Sequence, residues 1–363
     1  MFNKKQKFYS LKNILSKNAI YNIIFGERSN GKTYSVLEYG LKEYFKTGRQ
    51  LGIIRRWLDD FKGKRGQTLF DGIVGNDVIN KLSNGEYNGV YYYSQKWYLC
   101  KWENGEKTVS DEPFAYAFAL TSTEHDKSTS YPKIGTILFD EFLTRSAYLP
   151  DEFILFMNTI STIVRNRNDV KIFMLGNTVN KYCPYFGEMG LTHIKSMEIG
   201  TIDVYQYGHS ELRVAVEYCK PNAEGKASDL YFAFNNPKLQ MITGGAWEVD
   251  IYPHLPIKYQ PKNIKLIYFI NFDDTLLQCE IIKIDKNVFT YIHEKTTPLK
   301  NPKTDIIYST DYSPQPNYSR LINKPTNKLQ KLIYSFFQSD KVFYSSNEIG
   351  EVVRNYLVWC NKN

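Results

Sequence analysis

Residues 26 to 33 read Gly-Glu-Arg-Ser-Asn-Gly-Lys-Thr and fit the pattern G-x-x-x-x-G-K-[ST] at every fixed position. A backbone that wraps closely round a phosphate needs glycine at such points. The cradle works only if a strand delivers it and a helix follows, so that successive N–H groups and the helix N-terminus face negative charge. Both flanks comply. "YNIIFG" (21–26) reads as a buried strand, and "KTYSVLEYGLKEYFKTG" (32–48) has helical periodicity, with Val36, Tyr39, Gly40 and Tyr44 on one face and Gly48 in the stop position. Gly26, Arg28, Ser29, Asn30, Gly31, Lys32 and Thr33 are therefore expected to hold the phosphates of ATP. Lys32 would reach the β- and γ-phosphates, and the Thr33 hydroxyl would ligate Mg²⁺.

Three more apolar runs, "QLGIIRR" (50–56), "KIGTILFDE" (133–141) and "VKIFMLGN" (170–177), read as strands, and "DEFILFMNTISTIVRNRND" between the last two reads as a helix. Strands alternating with helices predict an α/β fold with a mostly parallel sheet covered on both faces. The strand at 133–141 ends in Asp140 and Glu141. Asp140 is expected to hold the Mg²⁺ through water and Glu141 to polarise an attacking water, which favours hydrolysis over transfer to a small molecule, because a kinase must exclude that water. Asn177, at the end of the next strand, is the candidate γ-phosphate sensor; an Asn in an ordinary turn is the plainer alternative.

Arg55 and Arg56 end the second strand and are candidates for contact with the nucleotide or a neighbouring subunit. Arg165 and Arg167 come too late along their helix to face the phosphate of their own subunit. In a ring, Arg165, with Arg167 in reserve, would reach a neighbour's nucleotide as an arginine finger; the competing reading is a helix C-terminal cap. Residues 1 to 70 carry 15 Lys and Arg against 5 Asp and Glu, in a chain whose net charge is only +8. That asymmetry fits a polyanion partner or a solvated basic face. Lys62, Lys64 and Arg65 in the glycine-punctuated loop "FKGKRG", together with Arg145 beyond the acidic pair, are the candidate contacts to a DNA backbone.

Residues 76 to 118 read as β-hairpins with Asn-Gly turns, added at the sheet's edge. Beyond residue 200 the pattern weakens. The expected organisation is a nucleotide-binding domain over 1–205, a linker segment over 206–255 and a small α+β domain over 256–363. The last contains a hairpin turning near Asp273-Asp274 and two terminal helices. The five cysteines lie far apart without a C-x-x-C pair, so neither a disulfide framework nor a zinc site is indicated and a reducing cytoplasm is expected. No apolar run approaches a membrane-spanning length, and no membrane partner is expected.

Taken in order, Arg28 inside the phosphate loop, Arg55-Arg56, Lys127 with Tyr131-Pro132, Asp140-Glu141-Phe142, Arg165-Asn166-Arg167, Asn177 and "CPYFG" (183–187) form a pattern that resembles the DNA-packaging ATPase of small Picovirinae-type tailed phages. The resemblance covers most of residues 15 to 190 and, more loosely, 263 to 363. It implies an ASCE-type P-loop NTPase that assembles as a homo-oligomeric ring, a pentamer, and docks in the host cytoplasm on a prohead portal. Such a ring drives double-stranded DNA inward, and a prohead RNA can mediate its docking. It also implies that Arg165 acts in trans, that Lys127 reaches toward the neighbour, and that the C-terminal domain is a vestigial RNase H-like fold without nuclease activity. One departure is Asp273-Asp274, where the family pattern lacks acids; with Glu280 and Asp285 they form no evident cluster across separate strands. A helicase or conjugation-type translocase and a nucleotide-binding scaffold with little turnover are the competing readings.

Overall fold

The computed structural model describes residues 9–122, 129–145, 148–208, 212–220, 247 and 250–362. The chain divides into two compact units, residues 1–248 and 249–363.

In the first unit the described strands are β1 (Tyr21–Gly26), β2 (Gln50–Arg55), β3 (Gly89–Tyr93), β4 (Lys96–Glu103), β5 (Glu106–Ala119), β6 (Ile134–Asp140), β7 (Lys171–Asn177), β8 (Ile202–Gln206) and β9 (Arg213–Tyr218). They form one sheet in the order β3-β4-β5-β2-β6-β7-β1-β9-β8. From β5 to β9 every neighbouring pair is parallel, while β3, β4 and β8 add on antiparallel at the edges. All six residues of β1 and all seven of β6 are buried, as expected for parallel strands covered on both faces. Alternation divides their side chains. Ile23, Phe25, Ile137 and Phe139 join the core beneath the Glu152–Val164 helix, whereas Ile24 and Leu138 join the core beneath the Lys32–Thr47 helix. Placing β7 between β1 and β6 separates the glycine loop from the acidic strand by one strand, the ASCE arrangement.

Three details differ from the sequence expectation. The first hairpin turns at Ser94-Gln95, both with positive φ, while Asn88-Gly89 lies at the start of β3; only the second hairpin uses its Asn-Gly pair, Asn104-Gly105. The boundary drawn at residue 205 falls inside β8, and β9, beyond it, pairs with β1 along its length. The basic stretch at 61–66 is not an open loop: a 3-10 turn over Leu58–Phe61 leads into a short helix, Lys64–Gln67.

In the second unit, β10 (Ile264–Phe272), β11 (Thr275–Ile284) and β12 (Asn287–Glu294) form an antiparallel meander. β13 (Ile306–Ser309) lies parallel to β10, and β14 (Tyr318–Ser319) parallel to β13. β15 (Val342–Tyr344) closes the other edge, parallel to β12. The strand order β12-β11-β10-β13-β14 is RNase H-like, with the helices Lys328–Gln338 and Asn347–Lys362 completing the unit. Asp273 and Asp274 make the β10–β11 turn and Asp285 the β11–β12 turn, all three with positive φ. These turns flank the ten residues of β11, about 30 Å of strand. Glu280 lies between them, buried and bonded to Tyr259 and Gln278. The four acids therefore do not converge.

Candidate nucleotide site

Parallel strands bring their C-terminal ends to one edge of the sheet, where open α/β folds form their crevices. Gly26 at the end of β1 stands in register with Asn177 at the end of β7, and Asp140 ends β6 beside Leu175. The loop leaving β1 needs its glycines. Gly26 has φ +152°, and a Cβ there would sit 2.6 Å from the Cys219 Sγ. Gly31 takes φ +87° as the residue that opens the helix from Lys32 to Thr47.

Lys32 is 6% exposed. Its Nζ donates to the Glu27 carbonyl at 2.6 Å and to Asn177 Oδ1 at 3.5 Å. Burial lowers its pKa, opposed by the negative charge of neighbouring groups that include Asp140. The Thr33 hydroxyl donates to Asp140 Oδ1 at 3.1 Å, and Arg55 donates to Asp140 Oδ2 at 3.0 Å. A hydroxyl and a carboxylate within hydrogen-bonding distance are hard oxygen donors of the kind Mg²⁺ takes, so the residues present fit that ion. Glu141 is exposed and holds φ +61°, an uncommon conformation for a residue with a side chain. Arg28 and Ser29 are also exposed, while Asn30 is buried and accepts from the Lys32 amide at 3.3 Å.

Arg56 is corrected as a nucleotide contact. It follows the last residue of β2 and its side chain turns inward, where it is 7% exposed. Its Nε and Nη2 grip the two oxygens of Glu152 at 2.7 Å each, and its Nη groups also hold the carbonyls of Glu141 at 3.3 Å and Phe142 at 3.0 Å. Tyr185 donates to the same Glu152 at 2.9 Å.

Arg165 and Arg167 follow the Glu152–Val164 helix and precede β7, so they lie at the sheet edge away from the phosphate loop. The seven residues of β7 put roughly 20 Å between the two edges. Arg165 is exposed, with φ +44°, and donates to the Thr129 carbonyl at 2.9 Å. Arg167 differs: it donates to the carbonyls of Ile134, Val164, Ile163 and Tyr131 at 2.8 to 3.2 Å, which makes it a structural cap rather than a reserve finger. Lys127 lies outside the described residues. Among the candidate DNA contacts, Lys62 pairs with Asp59 at 2.7 Å and Arg65 donates to the Asp59 carbonyl, Lys64 is exposed, and Arg145 donates to the Val179 carbonyl at 3.3 Å.

Glu152, Tyr9, Glu217 and Cys219 were not singled out from the sequence. Glu152 had one signal, an acid leading an otherwise apolar helix. The other three had none, because their partners are remote in the chain.

Residues 3–355 match the family model described as podovirus DNA encapsidation protein (Gp16). The chain is 28% identical over 181 residues to the DNA packaging protein of Bacillus phage B103 and 28% identical over 185 residues to that of Bacillus phage phi29. These alignments span about half of the chain and about half the length of each relative (49% and 50%, then 50% and 50%). Among solved structures it is similar to a chain of the bacteriophage Phi-29 viral genome packaging motor assembly, with TM-score 0.55 and 20% identity over 98% of both chains. It is also similar to a chain of the Phi-28 gp11 DNA packaging motor, with TM-score 0.53 and 18% identity over 99% of both. At these identities the structural likeness speaks for the fold.

Proposed function

Since the chain belongs to the podovirus DNA encapsidation protein (Gp16) family, we propose that it is the ATPase of a genome-packaging motor, hydrolysing ATP to drive double-stranded DNA into a prohead. The observation that carries this reading is the convergence of Lys32, Thr33, Asp140 and Asn177 at the C-terminal edge of the sheet, with Glu141 next in the chain.

In this reading the amides of residues 26 to 33 cradle the phosphates, and Arg28 and Ser29 border them from the exposed side of the loop. Lys32 neutralises charge on the β- and γ-phosphates. Thr33 and Asp140 would hold Mg²⁺, which supplies charge neutralisation at the phosphates when bound. Arg55, bound to Asp140, is placed to adjust that carboxylate. Glu141 takes a proton from the attacking water, and Asn177 reports whether the γ-phosphate is present. Arg165 lies too far from its own phosphate loop to serve it, so it acts on the next subunit of a ring, a pentamer, with Lys127 as a second trans-acting residue. Lys62, Lys64, Arg65 and Arg145 would track the DNA backbone. The first unit, residues 1–248, would be the motor domain, and the RNase H-like unit would begin beyond it, at residue 249. The ring would work in the host cytoplasm, docked on the portal directly or through a prohead RNA. Among the described residues no helix is long and apolar enough to cross a membrane.

The test is ATP turnover with and without double-stranded DNA. Lys32→Ala and Glu141→Gln should each remove DNA-stimulated hydrolysis; turnover that survives both changes overturns the assignment.

A further inference from the structure

The phosphate loop is held from outside its own strand and helix. Tyr9, in the segment before β1, is bound to it twice through the main chain: its N–H donates to the Asn30 carbonyl at 3.0 Å, and its carbonyl accepts from the Ser35 hydroxyl in the first turn of the helix. The Tyr9 phenol donates to Glu217 Oε2 at 2.5 Å. Glu217 is 8% exposed on β9, which pairs with β1. Burial raises the pKa of that carboxyl. Burial and the Glu217 charge together push the phenol far above its ordinary range, so the phenol keeps its proton and remains the donor.

Just past β9, Cys219 also lies against the loop. Its Sγ donates to the Phe25 carbonyl at 3.0 Å and accepts from Asn30 Nδ2 at 3.2 Å. Asn30 is where these contacts meet. Its carbonyl is on Tyr9, its Nδ2 on Cys219 and its Oδ1 on the Lys32 amide. Tyr9 and Cys219 bond to Asn30 rather than to Lys32, Thr33, Asp140, Glu141 or Asn177, and with Glu217 they fix the residue whose side chain meets the Lys32 amide.

We propose that Tyr9, anchored by Glu217, is a positioning residue that sets the conformation of the phosphate loop through Asn30 and thereby the affinity for nucleotide. This rests on the reading of the loop as an ATP site. Without the phenol–carboxylate bond the segment at Tyr9 loses its anchor, and Asn30 gains orientations in which the amides diverge. Nucleotide must then reorder the loop on binding, a cost that appears in affinity. Glu141 follows the end of β6, and β6 is separated by β7 from β1 and β9, so turnover at saturation is spared.

The measurement is the Kd of the full-length chain for Mg·ATPγS, with steady-state KM and kcat for ATP. Tyr9→Phe should raise Kd and KM roughly tenfold, the size of one lost hydrogen bond to a charged group, and leave kcat within about twofold. Glu217→Met should give the same rise, and the double variant should be no worse than either alone. Wild-type affinity in Tyr9→Phe, or a loss of kcat without a change in Kd, overturns the proposal. If Tyr9→Phe does not fold, Glu217→Met decides by the same criteria. If both fail to fold, hydrogen exchange in the unaltered chain decides. The Tyr9 and Asn30 amides should gain protection together on adding Mg·ATPγS, and protection of Asn30 alone overturns the brace. A wild-type chain that binds no ATPγS overturns the nucleotide-site reading itself, and that result is seen before any variant is compared.

Discussion

Thr33 donates its hydroxyl to Asp140 at 3.1 Å, joining the first turn of the loop's helix to the end of β6 across 107 residues of sequence. The pair puts the two candidate metal ligands in contact, and the other carboxylate oxygen is held by Arg55 at 3.0 Å. Thr33→Ala should therefore lower ATP turnover by about a hundredfold while raising the Mg²⁺ concentration needed for half activity, whereas Thr33→Ser keeps the hydroxyl and most of the rate. A Mg²⁺ titration of the initial rate distinguishes the two variants. Equal Mg²⁺ dependence in Thr33→Ala and the unaltered chain would remove Thr33 from the metal site.

Arg56 and Glu152 predict a stability effect. Both side chains are nearly inaccessible, and each leaves a buried charge behind if its partner is removed. Breaking such a pair from one side costs about 3–5 kcal/mol. Arg56→Met should show that loss in urea unfolding. Adding Glu152→Leu should recover part of it, since no lone carboxylate then remains. Recovery should be incomplete, because Arg56 also holds the Glu141 and Phe142 carbonyls. Full recovery would mean that those two bonds contribute nothing.

The same pair shows where sequence reading stops. The phosphate loop was legible because its determinants are contiguous and its spacing is fixed by how a backbone surrounds phosphate. The acidic pair was legible because it ends an apolar run. Arg55 and Arg56 look alike in sequence, but one bonds Asp140 and the other turns into the interior, to a carboxylate 96 residues away. Nothing local encodes that choice. Tyr9 and Glu217 are 208 residues apart and escaped notice for the same reason. β9 was missed because it follows a weakly patterned stretch, and its parallel partner β1 lies at the other end of the first unit's sequence. The RNase H-like order came from resemblance, since periodicity alone could not say which strand lies beside which.

In the second unit, Glu280 and His293 make stability depend on pH. Burial alone would raise the Glu280 pKa, but hydrogen bonds from His293, Tyr259 and Gln278 outweigh it and hold the pKa below the ordinary value. The hydrogen bond to Glu280 raises the His293 pKa against the opposing effect of burial. The folded histidine thus binds its proton more tightly than the unfolded one. Its contribution is complete below about pH 6.5 and is lost as pH rises through the raised folded value. For Glu280 the sign reverses: its contribution is present above about pH 4.3 and is lost as pH falls through the lowered value. Thermal unfolding of the full chain from pH 5.5 to 8.5 should show the second unit weakening with rising pH. His293→Gln should flatten that slope, and an unchanged slope would show that another group sets it.

Arg165 and Arg167 are two residues apart and should behave oppositely. Arg167 ties four backbone carbonyls together, so Arg167→Ala should destabilise the first unit in a single chain, at any protein concentration. Arg165 makes one exposed bond to the Thr129 carbonyl, so Arg165→Ala should leave folding nearly unchanged and remove turnover. If the residue acts on the neighbour, mixing supplies what each variant lacks. Chains carrying Arg165→Ala keep an intact phosphate loop, and chains carrying Lys32→Ala keep the finger. In randomly mixed rings at equal concentration about a quarter of the sites combine both, so about a quarter of the unaltered activity should return from two inactive preparations. A finger acting within its own chain predicts no recovery at any ratio, and that result would overturn the trans assignment of Arg165.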